Sequence, residues 1–150
     1  MDNFNCKEDV IYLIRHLGKL LKNDFEERVA QVGLTAAQAR TMFFINRCRI
    51  DNVVVHQKDI EQHFSLAKST VNGIVQRLLK TGYIIKNKDR PYPANEITQL
   101  GIETIEKLGE GRIKTIDKLF EGYSEKDRKK AIEQLNVLVN NLEGGDEDVT

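Results

Sequence analysis

Residues 65–80 read SLAKSTVNGIVQRLLK, and the rest of the chain is organised around this stretch. Its apolar side chains recur at intervals of three and four, which is the spacing of one face of an amphipathic helix. They are Val71, Ile74, Val75, Leu78 and Leu79. The opposite face carries Ser69, Asn72, Gly73, Gln76, Arg77 and Lys80. It has no carboxylate, whereas a solvated helix usually mixes both charge signs. The face therefore suits a negatively charged partner, although a surface helix with few acids by chance looks the same.

The flanking segments predict a helix-turn-helix followed by a β-hairpin. Residues 57–64 have the pattern of a short helix, and residues 65–67 form a turn in which Leu66 is available to plug the corner. Gly82 stands just beyond the second helix, where a C′ glycine belongs. Residues 83–88 and 94–97 are candidate strands, joined by the turn-rich tip 89–93. A helix-turn-helix with a basic hairpin is a winged helix.

The helices on either side complete the plan. Residues 7–32 predict a long helix that Gly33 ends, and the Thr35–Gln38 capping box opens a second helix that runs to about Arg47. In this second helix we expect four side chains to be largely buried: Ala39, Met42, Phe43 and Ile45. Residues 53–55 are a short strand that could pair with the wing. The next helix starts near residue 56 without a good N-cap.

Two more helices follow the wing. Thr98 can cap a long one, in which the glycines at 109 and 111 leave a bend open as an alternative, and Ser124 opens the last. The predicted fold class is thus mainly α with a small β-wing. Residues 1–33 and 99–143 would be dimerisation helices, 34–98 the DNA-binding lobe, and 144–150 a disordered acidic tail. The terminal stripes exceed what one core needs, so a two-fold copy is the expected partner, with packing inside one chain as the alternative.

Composition narrows the function classes. The chain has 150 residues, 40% of them hydrophobic, and a net charge of zero. Residues 65–93 nevertheless hold six Lys and Arg side chains against Asp89 alone, a local charge of +5 that would attract phosphate. No phosphate-binding glycine loop, nucleophile motif or paired carboxylates suggest an enzyme, and no cofactor is implied. Without a signal-peptide core or a membrane-length apolar run, and with two distant cysteines, we expect a cytoplasmic protein.

The ordered motifs resemble the MarR family of bacterial transcriptional regulators over nearly the whole chain. The resemblance rests on residues 34–38 (LTAAQ), 68–71 (KSTV), 77–84 (RLLKTGYI) and 97–101 (ITQLG). It implies a homodimer, usually a repressor, whose first and last helices interlock. It also implies that a small ligand, often an aromatic acid, or an oxidant lowers DNA affinity by acting between the lobes. Three departures concern DNA affinity: Pro91 in the wing, Ala67 at the N-cap of the recognition helix, and Gly73 within it.

The recognition helix and the wing supply the candidate DNA contacts. Lys68, Ser69 and Thr70 would anchor phosphates at the helix N-terminus. Asn72, Gln76 and Arg77 are the types that pair with base edges. Lys86, Lys88 and Arg90 would follow the backbone or minor groove of double-stranded, palindromic DNA. For a small aromatic or anionic ligand, the resemblance points to a pocket near the first two helices, with candidate lining residues His16, Arg40, Phe43 and Arg47.

Alternatives remain open at the level of sequence. A winged helix can serve as a protein-interaction module, for which the basic face is unnecessary. Cys6 would be the sensor of a redox-responsive regulator, and Cys48, between Arg47 and Arg49, could have a lowered pKa. The histidines at 16, 56 and 63 could be metal ligands, but no His-x-x-x-His or Cys-x-x-Cys occurs, so no metal site is predicted.

Overall fold

The computed structural model describes residues 6–144. The described chain has six helices and one two-stranded antiparallel sheet, and it divides into two compact units, residues 1–112 and 113–150. The mainly helical winged helix-turn-helix expected from the sequence is confirmed. Most of the predicted acidic tail, from residue 145 onward, lies outside the described residues.

The first two helices begin at side-chain caps. α1 spans Val10–Gln31, and the Asp9 carboxylate accepts a 2.6 Å hydrogen bond from the Tyr12 N–H. α2 spans Ala36–Ile50 and starts at the predicted capping box, in which Thr35 and Gln38 exchange bonds of 3.0 and 3.3 Å. α2 runs one turn beyond the predicted end, since the first left-handed residue after it is Asn52, with φ 56°.

α3 (Gln57–Phe64) and α4 (Lys68–Lys80) form the helix-turn-helix. As expected, the N-cap residue His56 makes no side-chain cap hydrogen bond, but the Asp59 carboxylate reaches back to accept a 2.7 Å bond from the His56 N–H. Ser65 turns the chain with a left-handed φ of 51°, and Leu66 then packs, half-buried, against the core. The predicted corner plug is confirmed.

The wing is formed by β1 (Ile84–Asn87) and β2 (Ala94–Ile97), paired from Ile84 opposite Ile97 to Asn87 opposite Ala94. The predicted strand at residues 53–55 was wrong. Only Val55 forms a bridge, in which its carbonyl accepts a 2.8 Å bond from the Asn95 N–H. Val53 cannot extend this pairing, because its own N–H is bonded to the Cys48 carbonyl at 2.8 Å, as a continuation of the helical turn.

α5 spans Gln99–Leu119 as one helix without interruption at Gly109 or Gly111, and a bend at these glycines stays a prediction. Two hydrogen bonds of Thr98 tie the N-terminus of α5 to the residue that follows α4 and its C-cap. Thr98 Oγ1 donates to the Gly82 carbonyl at 2.7 Å and accepts from the Gly101 N–H at 3.1 Å. A Cβ on Gly101 would collide with the Tyr83 carbonyl oxygen and with Ile97 Cγ1. This close approach explains the glycine of the motif at 97–101.

The core of the first unit joins α2, α3, α4 and the wing. Its largest fully buried side chains include Met42, Ile45, Ile60, Leu78 and Ile84. Burial of Ala39, Met42 and Ile45 was predicted correctly, but Phe43 is only half-buried, because it lies at the edge of the core against Phe25, with ring centroids 6.3 Å apart.

The second unit contains α6 (Glu125–Glu143), which the Ser124 side chain caps by accepting a 3.1 Å bond from the Asp127 N–H. Arg128 pairs with Asp117 at 3.1 Å and lies over the Phe120 ring. α6 buries none of its residues in the described chain. Its apolar side chains Leu135, Leu138 and Val139 are about half exposed.

Candidate nucleic-acid interface

The packing of α4 decides which of its side chains face solvent. Val71, Val75 and Leu78 are fully buried, and Ile74 nearly so, which fixes the rotation of the helix about its axis. All six side chains predicted to contact DNA from this helix consequently lie exposed: Lys68, Ser69, Thr70, Asn72, Gln76 and Arg77. The structure therefore brings these predicted residues together on one outer face.

The side chains of this face are not engaged inside the molecule. Four ion pairs occur in residues 6–144, on α1, at the end of α2, and between α5 and α6. Neither Lys68 nor Arg77 takes part in any of them. No described residue forms a hydrogen bond with the side chain of Asn72 or Gln76 either. A cationic, acid-free face whose donors and acceptors are all available can bind phosphate and base edges without first breaking internal bonds.

The N-terminus of α4 lacks a side-chain cap, and the centre of its outer face is a glycine. The N-cap residue is Ala67, whose side chain cannot accept a hydrogen bond. No other described side chain caps the helix, so Ser65 does not take over this role. The first N–H groups of α4 are left for solvent or an anion. Gly73, in the middle of the outer face, is helical and exposed, and a Cβ there would meet nothing within 4 Å. A larger residue would fit this position in the free protein.

Hydrogen bonds that sequence reasoning missed join the wing to the start of α3 and stabilise the hairpin itself. His56 Nδ1 lies 3.1 Å from the Pro93 carbonyl, 37 residues away in sequence, which no local signal could indicate. Asn87 donates to Glu96 Oε1 at 2.8 Å and accepts from the Asp89 N–H at 3.0 Å, a turn that the Asn-x-Asp spacing could have suggested.

Beyond these anchors, the wing presents its cations to solvent. Lys88 and Arg90 are exposed and Lys86 is half-buried. Tyr92 at the tip is 75% exposed. The three predicted wing contacts therefore lie on a hairpin whose base is fixed.

The four predicted ligand-lining residues do not form one cluster. Arg40 and Phe43 meet at Phe25, with the Arg40 guanidinium 5.5 Å from the ring centroid. Arg47 is paired with Asp51 at 3.1 Å, and His16 stacks on Tyr12 with centroids 5.7 Å apart. Sequence reasoning missed Phe25 as the centre of the aromatic group, because its helical stripe marks it only as a core residue.

The remaining candidates have structural surroundings. Cys48 is half-buried, and burial together with the Asp51 and Asp59 carboxylates raises the pKa of its thiol. Arg47 and Arg49, which left a lowered pKa open in the sequence, do not lower it, since both arginine side chains are exposed and Arg47 is paired with Asp51; Cys48 packs against the core. Cys6 is a half-buried free thiol, and its redox role stays a prediction. His63 stacks on Phe44 at 4.1 Å, and no cluster of potential metal ligands occurs within residues 6–144.

The comparison with known families decides the classification. Residues 32–91, which contain the helix-turn-helix and most of the wing, match the model of the MarR family. This segment of the chain is similar to the MarR family. The resemblance drawn from the motifs is confirmed, and the family consists of transcriptional regulators. None of the curated protein sequences matches the chain.

Solved MarR-like structures share the fold. MepR, a transcription regulator of the Staphylococcus aureus multidrug efflux pump MepA, is 19% identical over 89% of this chain and 98% of its own, with a TM-score of 0.80. A candidate MarR family regulator from Clostridium acetobutylicum is 25% identical, with coverages of 87% and 95% and a TM-score of 0.71. The regulator Tm0710 of Thermotoga maritima is 26% identical, with coverages of 87% and 92% and a TM-score of 0.64.

MepR has also been solved with two kinds of ligand. Its complexes with DNA and with ethidium bromide, both 18% identical over 92% of this chain and 99% of MepR, give TM-scores of 0.64 and 0.67. In the present chain, no described helix is both long and apolar enough to cross a membrane.

Proposed function

We propose that this MarR-family regulator is a homodimeric repressor that reads a palindromic operator with α4 and the wing, and that a small ligand releases it. The observation that carries the proposal is the outer face of α4, where base-reading and phosphate-binding side chains are exposed together, unpaired and without an acid. Arg77 would read guanine, Asn72 and Gln76 adenine, while Lys68, Ser69 and Thr70 would hold phosphates. Lys86, Lys88 and Arg90 would track the adjacent backbone or minor groove.

Exposed apolar side chains support the dimer. On α1, Val10, Ile11 and Ile14 are 60, 66 and 55% exposed, and on α6, Leu142 is 92% exposed. Monomeric proteins rarely leave contiguous apolar stripes in water, and the commonest partner is a second copy. A two-fold dimer would place two α4 helices about 34 Å apart, one helical turn of DNA.

A neighbour of the same fold and one aromatic group of this chain support ligand release. MepR, which has the same fold, binds DNA in one structure and ethidium bromide in another. In this protein the Arg40, Phe25 and Phe43 group offers a cation beside two aromatic rings, which suits a planar or anionic molecule. Arg47 and His16 would join such a site only if they left their present partners.

Fluorescence anisotropy tests the DNA proposal. The intergenic DNA upstream of the gene is the labelled target, random DNA is the competitor, and salt is varied. If each of two subunits places the five basic side chains of residues 65–93 other than Arg77 on phosphates, the logarithm of affinity falls with the logarithm of salt with a slope of about −9. Lys88→Ala should make this slope shallower by about 2, because a dimer loses two phosphate contacts.

Arg77→Ala provides the specificity arm, and Arg47→Ala the control with the same charge change on α2. We expect Arg77→Ala to weaken preferred binding and Arg47→Ala to leave it nearly unchanged. Equal affinity for random and upstream DNA, with a shallow salt slope and a silent Arg77→Ala, would instead favour a protein-interaction module.

A further inference from the structure

A cavity at the base of the wing stands apart from both the α4 face and the Phe25 group. Its volume is about 290 Å³, and it lies between the end of α2, the segment 52–55 and β2. Ile45, Val53 and Val54 give it apolar walls, while Arg49 and Arg90, both exposed, are its cationic lining residues. The cavity therefore combines an apolar interior with two positive charges.

The side chain of Asn95 is the unexplained part of this cavity. Asn95 is 3% exposed and lines the cavity, and its backbone N–H is bonded to Val55. Yet neither the oxygen nor the nitrogen of its carboxamide has a hydrogen-bond partner among the described residues. Buried polar side chains are nearly always hydrogen-bonded. The Asn95 side chain therefore has one hydrogen-bond donor and one acceptor, next to each other, to which no described residue is bonded.

These groups define a ligand chemistry. A carboxamide with a free donor and a free acceptor matches the N6/N7 edge of adenine, to which asparagine pairs bidentately. Arginine guanidinium groups pair in the same fork-like manner with phosphate. The volume lies near the lower end of the range for small-molecule sites, which suits a mononucleotide better than a larger cofactor. We propose that the wing-base cavity binds an adenine mononucleotide, with its base at Asn95 and its phosphate at Arg49 and Arg90.

Binding requires a small movement of the cavity wall. The carboxamide atoms of Asn95 are closed to water, so the base reaches them only when part of the cavity wall shifts outward, and residues 52–54 of the lining are the segment we expect to move. This segment is suited to such a shift. Asn52 is in the left-handed region, Val53 and Val54 are 55 and 37% exposed, and only Val55 bridges to β2.

Glu96 is the one carboxylate on the cavity lining, and it would repel a phosphate. Its Oε1 is bonded to Asn87 Nδ2 at 2.8 Å. Because successive residues of a strand point to opposite faces, the Glu96 side chain is directed away from that of Asn95. The carboxylate is thereby held on the other side of the wing from the proposed base position.

The site would couple to DNA binding through Arg90, an inference that rests on the proposed function. Arg90 cannot hold the ligand phosphate and follow the DNA backbone at the same time. The nucleotide should therefore weaken DNA binding, and DNA should weaken nucleotide binding by the same factor, as linkage demands.

Isothermal titration of the purified protein with AMP tests the site directly. Adenosine, ribose 5-phosphate and inorganic phosphate are the comparison probes. We expect AMP to bind more tightly than each of the three, because only AMP offers both the adenine edge and the phosphate. Equal dissociation constants for AMP, ribose 5-phosphate and phosphate would mean that the exposed arginines attract any anion. That result would overturn the proposal. So would the absence of AMP binding at about 1 mM.

Asn95→Val keeps the test independent of folding. Valine suits a strand and removes two unpaired polar atoms, so this variant should melt no lower than the wild type while losing AMP preference. Arg49→Ala should weaken AMP binding by up to the factor that separates adenosine from AMP, because Arg90 still holds the phosphate, and Arg112→Ala, an exposed arginine outside the cavity, should leave AMP binding unchanged. An Asn95→Val protein that still prefers AMP would refute the assignment. Loss of operator binding by the wild type itself would instead count against the proposed function.

Discussion

Gly73→Ala separates what α4 needs for folding from what it needs for binding. Gly73 is helical, exposed and surrounded by open space, so nothing in the described chain requires a glycine there. This sets it apart from Gly101, whose missing Cβ leaves room for Tyr83 and Ile97. A glycine weakens a helix interior, so its place at the centre of the face that we propose reads DNA points to an external partner that approaches the backbone closely.

The two effects of an added methyl group should have opposite signs. Alanine at position 73 should raise the free energy of unfolding by about 0.5–1 kcal/mol. For a chain of this length that corresponds to about 1–4 °C in melting temperature. On the operator, the same methyl group would overfill a close contact. Overpacking costs about 1–3 kcal/mol, which is roughly a 5- to 150-fold loss of affinity.

The assay pairs thermal unfolding with operator binding on the same preparations. Gly18→Ala is the matched control, because Gly18 is an exposed helical glycine of α1 that also has open space. The control should gain similar stability and keep its affinity for the operator. If Gly73→Ala gains stability and binds the operator as tightly as the wild type, α4 does not approach DNA through this position, and the reasoning fails.

Three further changes test other parts of the structure. Gly101→Ala should lower the free energy of unfolding by about 1–3 kcal/mol in urea titrations, because its Cβ meets a backbone oxygen that cannot move aside; an unchanged midpoint would contradict the close packing. Leu138→Glu, at a site 49% exposed, should convert dimer to monomer in sedimentation experiments, and a persistent dimer would exclude this face of α6. Folding raises the pKa of Cys48, so the folded state keeps its proton longer than the unfolded state. Stability should accordingly be complete below about pH 8.5 and decline above it, and Cys48→Ala should remove that part of the decline.

Local features were readable from the sequence because their causes lie within one turn of helix or strand. The Thr35–Gln38 box, the burial of one face of α4, and the turn at Ser65 each depend on neighbouring residues. The motif order then led to the family, because several weak signals had to occur at consistent spacings. The same reasoning placed the candidate DNA residues on one exposed face.

Features that depend on distant contacts were missed. The sequence leaves the direction of the Cys48 pKa open, because Arg47 and Arg49 flank the residue, whereas burial, Asp51 and Asp59 raise the pKa in the folded chain. The strand at residues 53–55 seemed plausible from three consecutive valines, yet the bond from Val53 to Cys48 holds the chain in a turn. The buried carboxamide of Asn95 has no sequence signature at all, since its burial depends on packing between segments that are distant in sequence.

The central claim is that the outer face of α4 reads DNA bases. The most direct measurement determines the affinity of wild-type and Arg77→Ala protein for a set of operators, each with one base pair changed symmetrically in both half-sites. We expect the wild type to lose about 1–3 kcal/mol of binding free energy when the base pair read by Arg77 is changed. Arg77→Ala should lose almost no binding free energy at that position and should keep its preferences at the others. Identical base preferences in the two proteins, at every position, would contradict the central claim.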